Sequence, residues 1–251
     1  CAQHNNGGLA IDMWWQTNVE GFFAVGEASA SHGVYRPGGT ALNAGQVGST
    51  RAAQYISVNR KGDPIDPISF EEITSTEIAK VIQIGDIVIA EDDNVEQIWD
   101  NAAKRMSRYG AAIRDVEGIM EALEEIENEL SNFEEIVKIN SVKKLHRVYR
   151  LLDILLCQYV YLKAMADYVD NGGKSRGSAL YTDKNAKCPY DNLPDIFKFV
   201  LDDGSRGDMI QEVNYNKGKC EFNWRKVREI PKDDDFFENV WRSYRENSNV
   251  Y

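Results

Sequence analysis

Apolar residues recur every three or four positions along much of the middle of the chain. Ile98, Ala102, Met106, Tyr109, Ile113, Val116, Met120, Leu123, Ile126 and Leu130 keep that spacing, which predicts an amphipathic helix with one buried stripe. A second pattern runs from about Val142 to Val169 through Leu145, Val148, Leu152, Leu155, Leu156, Tyr159, Leu162 and Met165. Asn171–Gly172–Gly173 follows it, a natural helix stop. Before this bundle the signal is mixed. Ile78–Ala79–Lys80–Val81–Ile82 and Ile84–Gly85–Asp86–Ile87–Val88–Ile89 are β-branched runs that fit a short helix and a strand, or a hairpin. Near the start, Gly21–Phe22–Phe23–Ala24–Val25–Gly26 reads as a buried strand entering a tight turn. From Thr40 to Ile56 small residues dominate, and Ala41, Ala44, Gly45, Gly48, Ala52 and Ala53 would give a helix a smooth face for close packing. The tail predicts a strand near Cys220–Val227, a turn at Asn216–Lys217–Gly218, a short element at Leu193–Leu201, and at Asp233–Asp234–Asp235 an acidic helix start or a solvated turn.

Composition narrows the functional classes. A formal net charge of -11 lacks the basic footprint that a nucleic-acid backbone requires, so no nucleic-acid partner is expected. No apolar run approaches the ~20 residues of a membrane span, and none is expected. Cys1, Cys157, Cys188 and Cys220 form no zinc spacing, so no metal site is predicted. Sparse, unpaired cysteines fit a reducing, cytoplasmic setting. His146, among Lys143, Lys144 and Arg147, reads as a surface residue. The chain begins without Met and inside what reads as a motif, so it is expected to be a piece of a longer protein.

Three ordered motifs carry a family resemblance. They are His4–Asn5–Asn6–Gly7–Gly8, then Gly21–Phe22–Phe23–Ala24–Val25–Gly26–Glu27, then His32–Gly33–Val34–Tyr35–Arg36–Pro37–Gly38–Gly39–Thr40–Ala41–Leu42. In order and at this spacing they resemble the end of the flavin domain in the succinate dehydrogenase, fumarate reductase and L-aspartate oxidase flavoproteins. Met106, Arg114 and Gly118, with Ala111 in place of a glycine, resemble a signature of that family's C-terminal helices. Lys174–Ser175–Arg176–Gly177–Ser178 resembles a loop that follows them. The likeness covers roughly residues 1–183. No GxGxxG fingerprint occurs anywhere in the chain, so the resemblance places the family's dinucleotide-binding unit upstream.

The resemblance implies an FAD-dependent oxidoreductase acting on a small acid. Arg36 would be the arginine that grips a substrate carboxylate with its planar fork, and His4 its companion, although a gapless match sets Gln3 at the family's histidine position. Glu27 would contact the ribityl chain of FAD. Gly39, Ala41 and Leu42 would line the flavin's pyrimidine edge at a helix start, where donors and the helix dipole favour negative charge. Tyr35, Pro37 and the Thr40–Ala41 pair depart from the family pattern, which loosens the substrate. The expected fold is α+β: a remnant of an FAD-binding α/β domain, residues 1–58, a connector, 59–91, a helical bundle, 92–185, and an irregular tail packing on the bundle, 186–251. By this reading the piece alone is inactive, and any membrane attachment is peripheral, through a partner. The alternative is a helical interaction module whose acidic bundle docks an electron-transfer partner or another subunit.

Overall fold

The computed structural model describes residues 7–31, 39–60, 62, 64–177, 179–227, 229 and 236–247. It divides into two compact units, Cys1–Pro64 with Arg228–Tyr251, and Ile65–Val227. The fold is mixed helix and strand, as expected. The first unit holds a short 3-10 turn at Gly26–Ser29, helix α1 (Thr40–Asn59) and the C-terminal helix α7 (Phe236–Asn247). Asp233–Asp234–Asp235 lies outside the described residues.

The second unit is built on α2 (Pro67–Val88), α3 (Val95–Tyr109), α4 (Val116–Ser131), the single turn α5 (Phe133–Ile136) and α6 (Leu145–Asp170). Ile98, Ala102, Ile119, Leu123, Ile126, Val148, Leu151, Leu155 and Leu162 form one core, joined by Val88, Phe133, Val137 and Ile139. Ile98, Ala102, Leu123, Ile126, Val148, Leu155 and Leu162 are stripe positions of the two sequence patterns; Ile119 and Leu151 are buried outside them, and Met120, Val116 and Val142, expected in the stripes, are exposed. The predicted helix over 98–130 is in fact two. Gly110 ends α3, and Asp115 starts α4 by accepting from the Gly118 N–H at 2.6 Å. Between them the two-residue strand β1 (Ile113–Arg114) pairs in parallel with β2 (Leu180–Tyr181). The periodic spacing runs through the break because Ile113 serves a strand while Val116 opens a helix.

The connector runs also differ from expectation, since 67–88 is one continuous helix. Asp66 caps it by accepting from the N–H groups of Ile68 and Ser69, and Pro67 supplies the first helical residue. This start signal overrides the β preference of the isoleucines. The tail supplies an antiparallel hairpin, β3 (Met209–Asn216) and β4 (Lys219–Lys226). Lys217 and Gly218 both have positive φ at its turn, the two-residue geometry that matches strand twist. Residues 193–201 hold a three-residue 3-10 turn at Asp195–Phe197 and then bridge as extended chain, Phe199 with Thr182 and Leu201 with Ser175.

A buried polar cluster ties three helices of the second unit together. Arg105 on α3 donates to Glu129 (2.6 Å) and Glu125 (3.0 Å) on α4, and to Gln158 (3.2 Å) on α6. Gln158 in turn donates to the Ala102 carbonyl at 2.9 Å. Burial works against the guanidinium charge, but the two carboxylates outweigh it and hold the Arg105 pKa above its ordinary value.

Candidate functional site

The described site residues sit in the first unit, where the sequence motifs converge through close backbone contacts. Gly8 packs so tightly on the 3-10 turn that a Cβ there would lie 2.6 Å from both the Ala28 carbonyl oxygen and the Ala30 nitrogen. The next N–H, of Leu9, donates to the Ala28 carbonyl at 2.8 Å. Gly26, with φ of 68°, meets Gly45 of α1, where an added Cβ would stand 3.8 Å from the Gly26 Cα. The end of the first motif therefore rests on the end of the second, and the second rests on the helix that follows the third.

Further along α1, a Cβ at Gly48 would lie 2.5 Å from Nε1 of Trp15, and Ala52 is buried. The small-residue face expected of this helix is the face that packs. Trp15 is held with φ of 64°, an uncommon conformation for a bulky residue. A turn organised by Asp12 supports it, since the Asp12 carboxylate accepts from the N–H groups of Trp14 and Gln16. The Arg51 guanidinium lies over the Trp14 ring at 4.5 Å and donates to the Met13 carbonyl. Sequence reading named the small face but missed this wedge. The one signal was the Trp14–Trp15 pair itself.

Glu27 occupies the 3-10 turn and is half-buried. Gly39 is the residue before α1, and no side chain caps that helix start. Space beside Gly39 is open, with no atom within 4 Å of a Cβ built there. Ala41 is half-buried, whereas Leu42 is 79% exposed. A helix start carries a partial positive charge and so suits an electron-rich ring edge. In this respect the residues present fit a flavin. Arg36, His4 and His32 lie outside the described residues.

The segment Gly21–Gly26 is not the expected buried strand. Phe23 makes a single antiparallel bridge to Gln16, and Phe22 and Val25 are exposed while Ala24 is buried. Apolar β-formers become a buried strand only when neighbouring strands cover both faces, and here one bridge is what the described chain supplies.

In the second unit the family-like positions serve architecture. Arg114 donates to the carbonyls of Ala111 (2.7 Å) and Gly110 (3.2 Å) and to the Tyr181 hydroxyl (3.3 Å), bracing the α3–α4 corner. The Arg176 guanidinium sits 3.9 Å from Asp202, beside Lys174, which pairs with Asp203. His146 is exposed, as expected. A shallow depression on α4 and α6 is lined by Glu117, Met120, Glu121, Glu124, Glu127 and Lys163, with Lys163 paired to Glu127 at 2.7 Å. Among the described residues no group of three or more His, Cys, Asp or Glu is arranged to hold a metal. None of the described helices is long and apolar enough to cross a membrane.

A unit closed by glycine contacts and a helical bundle with a small sheet patch give a fold similar to part of the fumarate reductase flavoprotein. Two curated relatives agree. The chain is 30% identical over 165 residues to an uncharacterized FAD-dependent oxidoreductase of Methanocaldococcus jannaschii, a match covering 65% of this chain and 29% of that protein. It is 31% identical over 137 residues to one of the subunits of the fumarate reductase (CoM/CoB) of Methanothermobacter marburgensis, covering 53% and 24%. The fold matches the FrdA chain of E. coli quinol fumarate reductase with a TM-score of 0.65, 18% identity, and coverage of 92% of this chain and 38% of that one. A quinol-fumarate reductase with menaquinol molecules gives 0.64, 17%, 91% and 38%. No family model matches. The chain spans less than a third of the curated relatives it matches, and the resemblance read from its motifs holds.

Proposed function

We propose that this chain is the part of an FAD-dependent oxidoreductase that presents one edge of the flavin site and one arm of the substrate site. When bound, FAD supplies hydride transfer at its N5 to or from an adjacent carbon. Residues 1–58 then form the remnant of the flavin domain, 59–91 the connector, 92–185 the bundle and 186–251 the tail. The N–H groups at the open start of α1, around Gly39, Ala41 and Leu42, face the pyrimidine edge, and Glu27 holds the ribityl chain. Arg36 binds a carboxylate of a small acid bidentately, with His4 beside it, and so fixes the substrate against the ring. The remaining nucleotide-binding elements come from sequence outside this chain, and the chain alone is inactive.

The observation that carries this reading is the packing of Gly8 on the 3-10 turn and of Gly26 on Gly45, which brings the ends of the first two motifs together against α1. The test is to express the chain with its natural flanking sequence and record the flavin absorbance near 450 nm. Bound flavin, bleached by dithionite and restored by fumarate but not by acetate, supports the reading. A folded, colourless protein overturns it.

One observation favours the second reading, a helical docking module. The depression around Met120 is rimmed by Glu117, Glu121, Glu124 and Glu127, a surface suited to a basic electron-transfer protein or a basic neighbouring subunit. Association that weakens with salt and with Glu121→Lys plus Glu124→Lys, in a protein without flavin, would favour that module over the enzyme. The cytoplasm is the proposed location, with any membrane attachment made through such a partner.

A further inference from the structure

Helix α2 exposes apolar residues over a wide arc along the stretch that projects beyond the bundle. Ile68, Phe70, Ile73, Ile78, Val81 and Ile82 are 40% to 71% exposed. At 100° per residue these six spread over about 220°, wider than one stripe, while Glu72, Thr76, Lys80 and Gln83 occupy the remaining side. Only the last turn is seated. Val88 is fully buried, and Gly85 abuts Leu145, whose Cδ2 would lie 3.4 Å from an added Cβ. One more tether follows, as the Tyr149 hydroxyl donates to the Val81 carbonyl at 3.1 Å.

Residues 67–83 are also poor candidates for a free-standing helix. Ile68, Ile73, Thr74, Thr76, Ile78, Val81 and Ile82 are β-branched and lose side-chain freedom in a helix without compensating contacts. Short helices of such composition are marginal in water. An exposed apolar arc this wide is more than one packed neighbour covers.

We propose that residues 67–83 of α2 form the docking element for the larger part of the parent flavoprotein, a body with an apolar cleft built from several elements. This rests on the flavoprotein reading for the identity of the occupant. Three observations select it. The fold match takes in 92% of this chain but only 38% of its structural neighbour, and the chain spans 29% and 24% of its curated relatives, so most of such a protein's mass lies outside it. The exposed end of α2 begins at Asp66, two residues after Pro64, the last residue of that segment of the first unit. That unit carries the flavin motifs, so the helix enters directly from the polypeptide on which the flavin domain is built. Finally, pairing with α2 of a second copy would cover one stripe of each helix and leave the opposite isoleucines wet. An enclosing cleft covers both sides.

The test is hydrogen–deuterium exchange of the 67–83 amides in the 251-residue chain and in the protein extended by its natural preceding sequence. The extended protein should slow these amides by on the order of 100-fold as they join a cooperative unit, and Ile73→Asp with Ile78→Asp should restore fast exchange. Equal rates in the two forms overturn the proposal, as does a gene with no preceding coding sequence. Protection in the shorter chain accompanied by a doubled mass assigns the helix to a second copy and also overturns it. Protection only with phosphatidylglycerol vesicles overturns it in favour of a lipid surface. Flavin absorbance of the same sample separates the two readings: colourless but protected refutes the cofactor, yellow but unprotected refutes the docking.

Discussion

Removing the Arg105 side chain should be among the most damaging single changes to the second unit. Its side chain is 4% exposed, whereas Glu129 is 20% and Glu125 58% exposed. Arg105→Ala leaves the Glu129 carboxylate and the Gln158 carbonyl oxygen without their donor in the α3–α4–α6 interior. Stranding one member of a buried ion pair costs about 3–5 kcal/mol, and the apolar stem of the arginine is lost as well. Glu125→Ala removes a partner that water already reaches and should cost at most about 1 kcal/mol. The double change Arg105→Met with Glu129→Met removes both charges while keeping volume. One Glu129 oxygen is already buried without a protein partner, so the pair is imperfectly satisfied. The double variant should therefore recover most of the loss, to within about 2 kcal/mol of the parent. Urea unfolding followed by far-UV circular dichroism gives all three values. If Arg105→Ala and Glu125→Ala agree to within ~0.5 kcal/mol, or the double variant is no better than Arg105→Ala, the account of a buried charge is wrong.

Gly48→Ala drives a Cβ into the Trp15 ring and should destabilise the first unit by about 1–3 kcal/mol, while Gly45→Ala, with ordinary van der Waals room, should be neutral or stabilising by up to ~1 kcal/mol; thermal melts that fail to separate them would refute the wedge. Asn94 accepts from the Lys138 N–H and donates to the Ile136 carbonyl, both at 2.8 Å, so Asn94→Ala should cost about 1–3 kcal/mol and loosen residues 136–139 in hydrogen exchange. Hydrogen bonds from Lys144, Arg147 and Lys174 hold the carboxyls of Asp93, Glu96 and Asp203 below their ordinary range. Groups with depressed folded pKa values contribute stability above their unfolded pKa, near ~4, and lose it as pH falls through the folded value. The melting temperature should then change little between pH 7 and pH 5 and fall below about pH 4, with a shallower fall in Asp93→Asn plus Glu96→Gln; an unchanged acid slope in that variant would sink the attribution.

The core was legible wherever period and burial coincide. Ile98, Ala102, Leu123, Ile126, Val148, Leu155 and Leu162 were named by spacing and are buried together. The break at 110–115 was hidden because Ile113 and Val116 keep a helical spacing across it, although Gly110 and Asp115 carried the stop and start. Asp66–Pro67 likewise marked one helix, but the isoleucine run after it fits either secondary structure by composition. Helical tertiary context decided it at the seated end, through Gly85 and Val88. The Trp15 wedge was beyond sequence reading, since a positive φ at a tryptophan follows from the Asp12 turn and the Gly48 face, which are distant in sequence. The motifs gave the order of the site's parts, and only the folded chain shows that Gly8 and Gly26 close on their neighbours.

The cofactor half and the substrate half of the proposed site rest on different physics, so separate substitutions should split them. Gly26 sits at positive φ against Gly45, and Gly26→Val forces a β-branched side chain into the left-handed region, at a cost of at least ~1–2 kcal/mol. That change tilts the turn bearing Glu27 against α1, so flavin retention in the extended protein should fall several-fold while circular dichroism shows the bundle intact. Arg36 belongs to the sequence motif that departs from the family at Tyr35 and Pro37, and its proposed role is to hold a carboxylate, not the ring. Arg36→Ala should keep the flavin and slow its reoxidation by a dicarboxylate on the order of 100-fold, the loss of two charged hydrogen bonds at ~1.5 kcal/mol each. Arg36→Lys should recover only part of that rate, because an ammonium cannot reproduce the planar fork. Flavin loss in Arg36→Ala, or full retention in Gly26→Val, would reverse the assignment and make the third motif, not the glycine contact, the seat of cofactor binding.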